Sequence, residues 1–355
     1  MEMSERRRQI LKLVIQAYVE TSVPVGSETL LRAYGLSVSS ATVRNELAAL
    51  EELGFLTHLH TSAGRIPTDA GYRYFVENLM DRTPLSATEQ RTIRHQFYQI
   101  RSELDQWIQL AGAVLARTAQ NVALVTPPRA YQARFKHLEL ISIHDVLVLV
   151  VLVLHDGTIR QQTQVLERAY PQEELSRCAA HISERGRDQL IPQIEDMLAN
   201  ERSDAPIFSE LERQVIEMVL RSMHQFEEQL NSGLHSDGLM EALNQPEFAQ
   251  VGRVRQVLEI VQGGKALGTL IPQALASNGV QVVIGGEHAW DEMREYSVVL
   301  SRYGVANSVA GVLGVIGPTR MAYPRTISTV RYISRVMSDL LDDMYGGEHS
   351  RTIAP

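Results

Sequence analysis

The sequence predicts an α+β protein that is built from two or three domains. Its 355 residues are enough for that number of domains. The first 80 residues contain short amphipathic helices followed by a small hairpin. Further along, β-rich segments occur on both sides of a helical block at 168–232. An α+β domain that carries a helical insertion is the simplest arrangement of these segments.

The overall composition is that of a soluble globular protein, with 44% hydrophobic and 21% charged residues. The formal net charge of −8 disfavours a protein that coats nucleic acid without sequence preference. It does not exclude a sequence-specific DNA-binding protein, because phosphate contacts need only a local positive face. Residues 1–82 are close to neutral, with nine Arg or Lys against ten Asp or Glu.

Three features indicate a cytoplasmic protein. Lys12 and Gln16 interrupt the apolar residues near the start, which predicts an amphipathic helix rather than a signal peptide. The longest apolar run, Val146 to Leu154, is too short to cross a bilayer as a helix. The single cysteine, Cys178, excludes an internal disulfide and fits a reducing compartment.

Two short helices open the chain. The first is predicted over residues 4–20, with Ser4 as its cap and apolar residues at helical spacing. Val23 to Gly26 end it, and Ser27 begins a second helix that stops at Gly35.

The third helix carries the candidate DNA-reading residues. Val43, Leu47 and Leu50 recur at i, i+4 and i+7 and form one apolar face, and Gly54 ends the helix. Hydroxyl, amide and guanidinium groups at the helix start can reach phosphates or base edges, and a helix N-terminus favours a phosphate. The candidate residues are Ser39, Ser40, Thr42, Arg44 and Asn45.

A small wing is predicted after this helix. Two short extended segments lie around the sequence TSAG, and the wing is expected to have an arginine at its tip. In a helix-turn-helix with a wing, the second helix of the motif enters the major groove by its N-terminal residues. We therefore name Ser62, Gly64 and Arg65 as wing residues that face DNA. The alternative is a winged helix that contacts protein.

The chain then changes its pattern. A capping box at Ser86 and Glu89 opens a helix that is predicted to continue to about Gln120, with apolar residues at heptad spacing. Such a helix would be a rod of about 48 Å that could separate two DNA-binding heads. The alternative is one or two helices that pack on a sheet.

The remaining segments alternate between strand and helix patterns. Asp156-Gly157 predicts a tight hairpin, and helical patterns return from Pro171. Strands are predicted at 137–143, 146–154, 159–166, 280–284, 297–301 and 312–316, and a final amphipathic helix around 327–340.

Two blocks of sequence resemble one known family. The segments TVRNELAALEELGFL and HTSAGRIPTDAGYRYFV look like the N-terminal domain of the bacterial HrcA family of heat-inducible transcription repressors. The segment VIGPTRMAYPRTISTVRYIS is similar to the C-terminal signature of that family. Because these blocks lie near opposite ends in family-like order, the resemblance covers the whole chain.

The resemblance implies a domain arrangement and a function. It implies a winged helix-turn-helix followed by a GAF-like α+β domain that carries a helical dimerising insertion. The function it implies is repression of chaperone operons by a homodimer that binds the inverted repeat called CIRCE, with the GroEL chaperonin as a partner that keeps the repressor active. We expect a winged helix at 1–80, a linker at 81–88, GAF-like parts at 89–167 and 233–345, the insertion at 168–232 and a flexible tail at 346–355.

Other sequence patterns give weaker indications of a functional site. His58 and His60 could share a strand face, but no third metal ligand lies near them in sequence, so we expect no metal site. Gly285-Gly286-Glu287-His288 follows a strand and could cradle a ligand or simply end the strand as a turn; the resembled family more often has asparagine where His288 stands. No catalytic constellation is evident, and we expect neither an enzyme nor a cofactor. A regulator that binds a small ligand in its GAF-like domain is the alternative function.

Overall fold

The computed structural model describes residues 3–35, 37–58, 64–81, 84–100, 103–130, 133–155, 157–199, 207–228, 233–249, 251–263, 265–305 and 309–349. The helices are α1 Glu5–Thr21, α2 Ser27–Tyr34, α3 Ser40–Glu52, α4 Asp69–Tyr74, α5 Ala87–Gln99, α6 Leu104–Ala119, α7 Gln172–Gly186, α8 Ile191–Ala199, α9 Glu210–Glu228, α10 Leu239–Leu243, α11 Val251–Gly263, α12 Lys265–Ala276 and α13 Tyr323–His349. A π-helical turn, Phe75–Leu79, extends α4.

The strands form three sheets. They are β1 Leu56–Thr57, β2 Ile66–Pro67, β3 Val122–Val125, β4 Arg129–Ala130, β5 Phe135–His144, β6 Leu147–Leu154, β7 Ile159–Val165, β8 His235–Asp237, β9 Val280–Ile284, β10 Tyr296–Gly304 and β11 Val309–Pro318. The mixture of helix and sheet confirms the predicted α+β class.

Contacts divide the chain into two compact units. We call residues 1–127, 233–305 and 311–355 the terminal unit, and residues 128–232 and 306–310 the inserted unit.

The winged helix is the first part of the terminal unit. Helices α1, α2 and α3 pack on one another, and β1 pairs antiparallel with β2. Backbone hydrogen bonds between Val25 and Arg65 add a third chain segment to this small sheet. The helices begin and end as the sequence predicts: Ser4 caps α1, and Gly35 ends α2 in the left-handed conformation at φ 57°.

The second part of the terminal unit is a sheet with strand order β8-β3-β11-β10-β9. Helices α6 and α13 pack on each other, α6 contacts β3 and β8, and α13 contacts β10 and β9. Their buried side chains lie with those of the winged helix in one continuous hydrophobic core. Helix α3 is therefore part of a unit whose stability also depends on the distant sheet.

The predicted rod is wrong: the segment forms two helices, of which α6 packs on the sheet and α5 packs on α6, in line with the alternative of one or two helices on a sheet. Helix α5 ends at Gln99, Ile100 is extended at φ −79° and ψ 121°, and α6 begins only at Leu104. Trp107 and Leu115 of α6 are buried, and α6 packs on β3 and β8. The free energy gained by burying these side chains against strands exceeds the free energy gained by continuing α5 as one straight helix.

The inserted unit contains a three-stranded meander, β5-β6-β7, with helix α7 packed on β5 and α9 packed on α7. The two hairpins use left-handed residues, Asp145 at φ 46° and Gly157 at φ 84°. Asp156 of the predicted Asp-Gly turn lies outside the described residues. The strands predicted between 137 and 166 therefore share a compact unit with the helices that follow them.

The single cysteine is buried in this inserted unit. Cys178 lies on α7 with 5% of its surface exposed. Burial, followed by the charges of Glu212 and Glu174, raises the pKa of its thiol to about 12. The thiol is therefore protonated and unreactive at neutral pH.

The long helix α13 is the last described element. The helix continues to His349, past Gly346, where the sequence predicted the start of a flexible tail. Residues 350–355 of that predicted tail lie outside the described residues. In the part of the chain that is described, no helix combines the length and the apolarity that a membrane crossing requires.

Gly314 provides a stability test of the packing between β11 and β10. A Cβ at Gly314 would lie 2.0 Å from the carbonyl oxygen of Val299, so the strand would have to move. We expect Gly314→Ala to lower the free energy of unfolding by about 1–3 kcal/mol, measured by urea denaturation.

Gly252→Ala is the matched control for this prediction. Gly252 lies in α11, and a Cβ there would meet no atom within 4 Å. Because alanine favours a helix over glycine, this variant should be unchanged or more stable by up to about 1 kcal/mol. Equal stability of the two variants would contradict the close approach at Gly314.

Candidate nucleic-acid interface

Helix α3 is held by its aliphatic side. Val43, Leu47 and Leu50 are at most 4% exposed and lie in the core of the terminal unit. At the N-terminus, the Ser39 side chain accepts a hydrogen bond from the backbone N–H of Thr42 at 3.1 Å. This cap and this apolar face fix both the start and the rotation of the helix, as the sequence predicts.

The opposite side of α3 faces solvent. Arg44 and Asn45 are exposed, and neither side chain makes a hydrogen bond or ion pair with any residue that the structure describes. Ala41 and Ala48 flank them on the exposed face and are small. A duplex could therefore approach this face closely, and the guanidinium and amide groups are available to a ligand.

The hydroxyl groups at the start of α3 form two pairs. The Ser39 and Thr42 hydroxyl oxygens are 2.9 Å apart, and those of Ser40 and Ser27 are 3.2 Å apart. Ser27 is the first residue of α2, so the N-termini of α2 and α3 lie side by side. Two adjacent helix N-termini with hydroxyl groups are suited to binding a phosphate. Ser27 was not among the predicted site residues, because its contact with Ser40 spans 13 residues of sequence.

The described part of the wing places Arg65 differently from the prediction. Arg65 lies beside Val25 at the base of the hairpin rather than at a tip, and its Nε is 2.7 Å from Glu51 Oε2 on α3. His58 Nδ1 also contacts Glu51. A Cβ at Gly64 would lie 2.6 Å from the backbone of Pro24, so glycine is needed there for close packing. Ser62 and His60 lie outside the described residues.

The charges on α3 favour an anion at its N-terminal half. Glu46 pairs with Arg7 of α1 at 2.9 Å, and both side chains are mostly buried. Glu51 is paired with Arg65, so two of the three acids of the helix are neutralised away from Arg44. Glu52 is exposed, but it lies at the opposite end of the helix. The exposed start therefore combines Arg44 with the positive end of the helix dipole.

The histidine pair and the Gly285-Gly286 loop show no ligand-binding arrangement among the residues that the structure describes. Among the described residues, no group of three or more His, Cys, Asp or Glu could hold a metal ion. The Gly285-Gly286 loop is occupied by a side chain of the protein itself, since the N–H of Gly286 donates to Asp69 Oδ2 at 2.8 Å. A cavity of about 10 Å³ beside Phe135 has room for about one water molecule.

Comparisons with known proteins find relatives over nearly the whole chain. Residues 105–327 match the family model described as HrcA protein C terminal domain. The heat-inducible transcription repressor HrcA of Roseiflexus sp. (strain RS-1) is 70% identical over 98% of this chain and 97% of that protein. The protein of the same name from Herpetosiphon aurantiacus is 63% identical, also over 98% of this chain and 97% of its own length.

One solved structure shares the fold. A crystal structure of a hypothetical protein superimposes with a TM-score of 0.57 at 21% identity, covering 96% of this chain and 99% of that chain. The fold and the relatives together place the chain among winged-helix proteins of the transcription-repressor class. The chain belongs to the HrcA family of heat-inducible transcription repressors.

His288 makes a testable contribution to pH-dependent stability. It is 6% exposed, and burial lowers the pKa of its imidazole below the ordinary value. A backbone hydrogen bond with Tyr296 and the charges of Glu287 and Asp69 oppose that shift only in part. As the pH falls through the ordinary histidine pKa of about 6.5, the unfolded chain therefore gains a proton before the folded protein does.

We expect His288→Gln to reduce the pH dependence of stability. The free energy of unfolding of the unmodified protein should fall more steeply than that of the variant between about pH 7.5 and pH 5, because the variant lacks this proton uptake. Urea unfolding at a series of pH values measures both curves, and the remaining histidines contribute equally to each. Parallel curves would contradict the assigned cause.

Proposed function

We propose that this protein is a DNA-binding repressor of chaperone operons that binds an inverted-repeat operator as a homodimer. The observation that carries the proposal is the exposed start of α3, where Arg44 and Asn45 face solvent opposite a buried aliphatic face. A helix held in this way can enter a major groove by its N-terminal end. Two-fold symmetry of the protein then matches two-fold symmetry of the operator.

The proposed DNA-binding side chains fall into two groups: those that contact base edges and those that contact phosphates. Arg44 is suited to a guanine edge and Asn45 to an adenine edge in the major groove. Ser39, Ser40 and Thr42 would bind phosphate at the helix N-terminus, together with Gly64, Ser62 and Arg65 of the wing. Arg65 is already paired with Glu51, so we assign it a smaller share of the binding free energy than Arg44.

The sequence resemblance supplies the operator and the partner in this proposal. The operator would be the CIRCE repeat upstream of chaperone operons, and the GroEL chaperonin would keep the repressor folded and active. Heat or misfolded clients would draw chaperonin away, the population of folded dimer would fall, and the operons would be transcribed. We further propose that residues 1–80 bind DNA and that the insertion contributes to the dimer.

Arg44→Ala and Thr42→Ala test base reading. We expect Arg44→Ala to lose roughly 5- to 150-fold in affinity for the inverted repeat, since a bidentate base contact contributes about 1–3 kcal/mol of discrimination. Affinity for scrambled DNA should change little. Thr42→Ala should weaken binding to both DNAs alike. Fluorescence anisotropy over a series of salt concentrations measures both affinity and the salt slope.

Two further variants sharpen this experiment. Ser39→Asp keeps a side chain that caps helices well, but it adds a negative charge facing the expected phosphate, so affinity should fall while stability is retained. Arg255→Ala removes an exposed arginine from α11, outside the winged helix, and should bind as the unmodified protein does. Equal losses on both DNAs for Arg44→Ala would make Arg44 a phosphate contact. Absence of any effect would favour a winged helix that contacts protein.

The chaperonin has its own test. Added GroEL should increase the fraction of repressor that recovers operator binding after a heat pulse, because it returns unfolded chains to the folded population. Binding recovered with and without chaperonin is compared by the same anisotropy measurement. Identical recovery would contradict the feedback, whatever the result for Arg44.

A further inference from the structure

Helix α4 is bound to the loop at residues 285–287, which directly follows strand β9. Arg73 Nε donates to Glu287 Oε1 at 2.6 Å, and its Nη2 contacts Glu287 Oε2 as well. Nη2 also donates to the Val282 carbonyl oxygen at 2.7 Å. This guanidinium is therefore bound by a bidentate carboxylate and a strand carbonyl, rather than available to DNA.

The loop is shaped to receive α4. Gly286 N–H donates to Asp69 Oδ2 at 2.8 Å, and a Cβ at Gly285 would lie within 2.4 Å of the Asp69 carboxylate. Gly285 is also left-handed, at φ 50°. Burial alone would raise the pKa of Glu287, but Arg73 and the Ile284 N–H lower it below the ordinary value, so the carboxylate is ionised at neutral pH.

The other side of α4 is fixed to the end of the reading helix. Thr68, the N-cap of α4, donates its hydroxyl to the Gly54 carbonyl oxygen at 2.6 Å and its N–H to that of Phe55 at 3.1 Å. A Cβ at Gly71 would lie 2.2 Å from the Phe55 carbonyl oxygen, so α4 and this turn are in direct backbone contact. A movement of α4 must therefore move the turn that follows α3.

A second set of contacts, made by Arg320, also holds the winged helix against the rest of the terminal unit. Arg320 Nη1 donates to the carbonyl oxygen of Val19 in α1 at 2.5 Å, while its Nε donates to Glu247 at 2.5 Å. Between the two attachments, the rings of Tyr72 and Tyr323 lie 5.7 Å apart and are both at most 2% exposed. The winged helix is thus attached at two separated points, which fixes its direction as well as its position.

We propose that Asp69 and Arg73 are positioning residues for operator binding: through the 285–287 loop they hold α3 at a fixed angle to the sheet of the terminal unit. This inference rests on the proposed binding of an inverted repeat by a dimer. If the two winged helices of the dimer are held at fixed angles, both can bind one duplex only when the half-sites have one particular separation. The second winged helix then reaches its half-site only if the geometry matches. Heads released from the loop would bind a half-site normally and lose the preference for spacing.

The test uses the whole 355-residue chain and variants of the loop rather than of the proposed DNA-contacting residues. Glu287→Gln removes the charge that binds Arg73 while keeping the side-chain size, and Gly285→Ala introduces a Cβ against Asp69. Glu89→Gln is the matched control, because it weakens an ion pair with Arg325, 2.9 Å apart, that joins α5 to α13. Each protein is titrated with a single half-site, with the inverted repeat, with repeats whose spacer is changed by about two base pairs, and with scrambled DNA.

The unmodified protein and Glu89→Gln should lose about tenfold or more in affinity when the spacer changes. Both loop variants should bind the half-site within about twofold of the unmodified protein, lose about tenfold on the natural repeat, and show a flatter dependence on spacer length. If both loop variants keep the normal spacer preference, or lose half-site and repeat affinity equally, the positioning role is overturned. If the unmodified protein does not prefer the repeat to scrambled DNA, the proposed function fails instead.

Discussion

The burial of one aliphatic face of α3 is the interaction on which the interface depends. Val43, Leu47 and Leu50 can be removed from water only in one rotation of the helix, and that rotation directs Arg44 and Asn45 outward. The Ser39 cap sets where the helix begins, and so which hydroxyl groups lie at its positive end. The same residues therefore determine both folding and the surface offered to a ligand.

An acidic protein can still present a face suited to nucleic acid, and the ion pairs explain how. The formal charge of −8 is a property of the whole chain. On α3, Glu46 and Glu51 are paired with Arg7 and Arg65, while Arg44 is exposed and makes no side-chain pair with a described residue. Within about a Debye length of the helix start, the local arrangement matters more than the total.

Local features were predictable from the sequence, whereas contacts between distant segments were not. The caps at Ser4, Ser39 and Ser86, the end at Gly35 and the strands β5 to β7 follow from residue type and spacing within a few positions. The break after Gln99 was missed because burial of α6 against strands, not a helix-breaking residue, decides it. Arg65 was misplaced because its Val25 partner is 40 residues earlier, and the role of Gly285-Gly286 was missed because Asp69 lies 217 residues from Gly286.

The burial of Cys178 makes the protein convenient for distance measurements. Its thiol is protonated at neutral pH and enclosed by α7 and its neighbours, so maleimide or nitroxide reagents should spare it under native conditions. A cysteine introduced on the exposed side of α3, as in Ala48→Cys, would then carry the label alone. In the proposed homodimer, two such labels would report the separation of the two α3 helices directly, without removal of the native thiol.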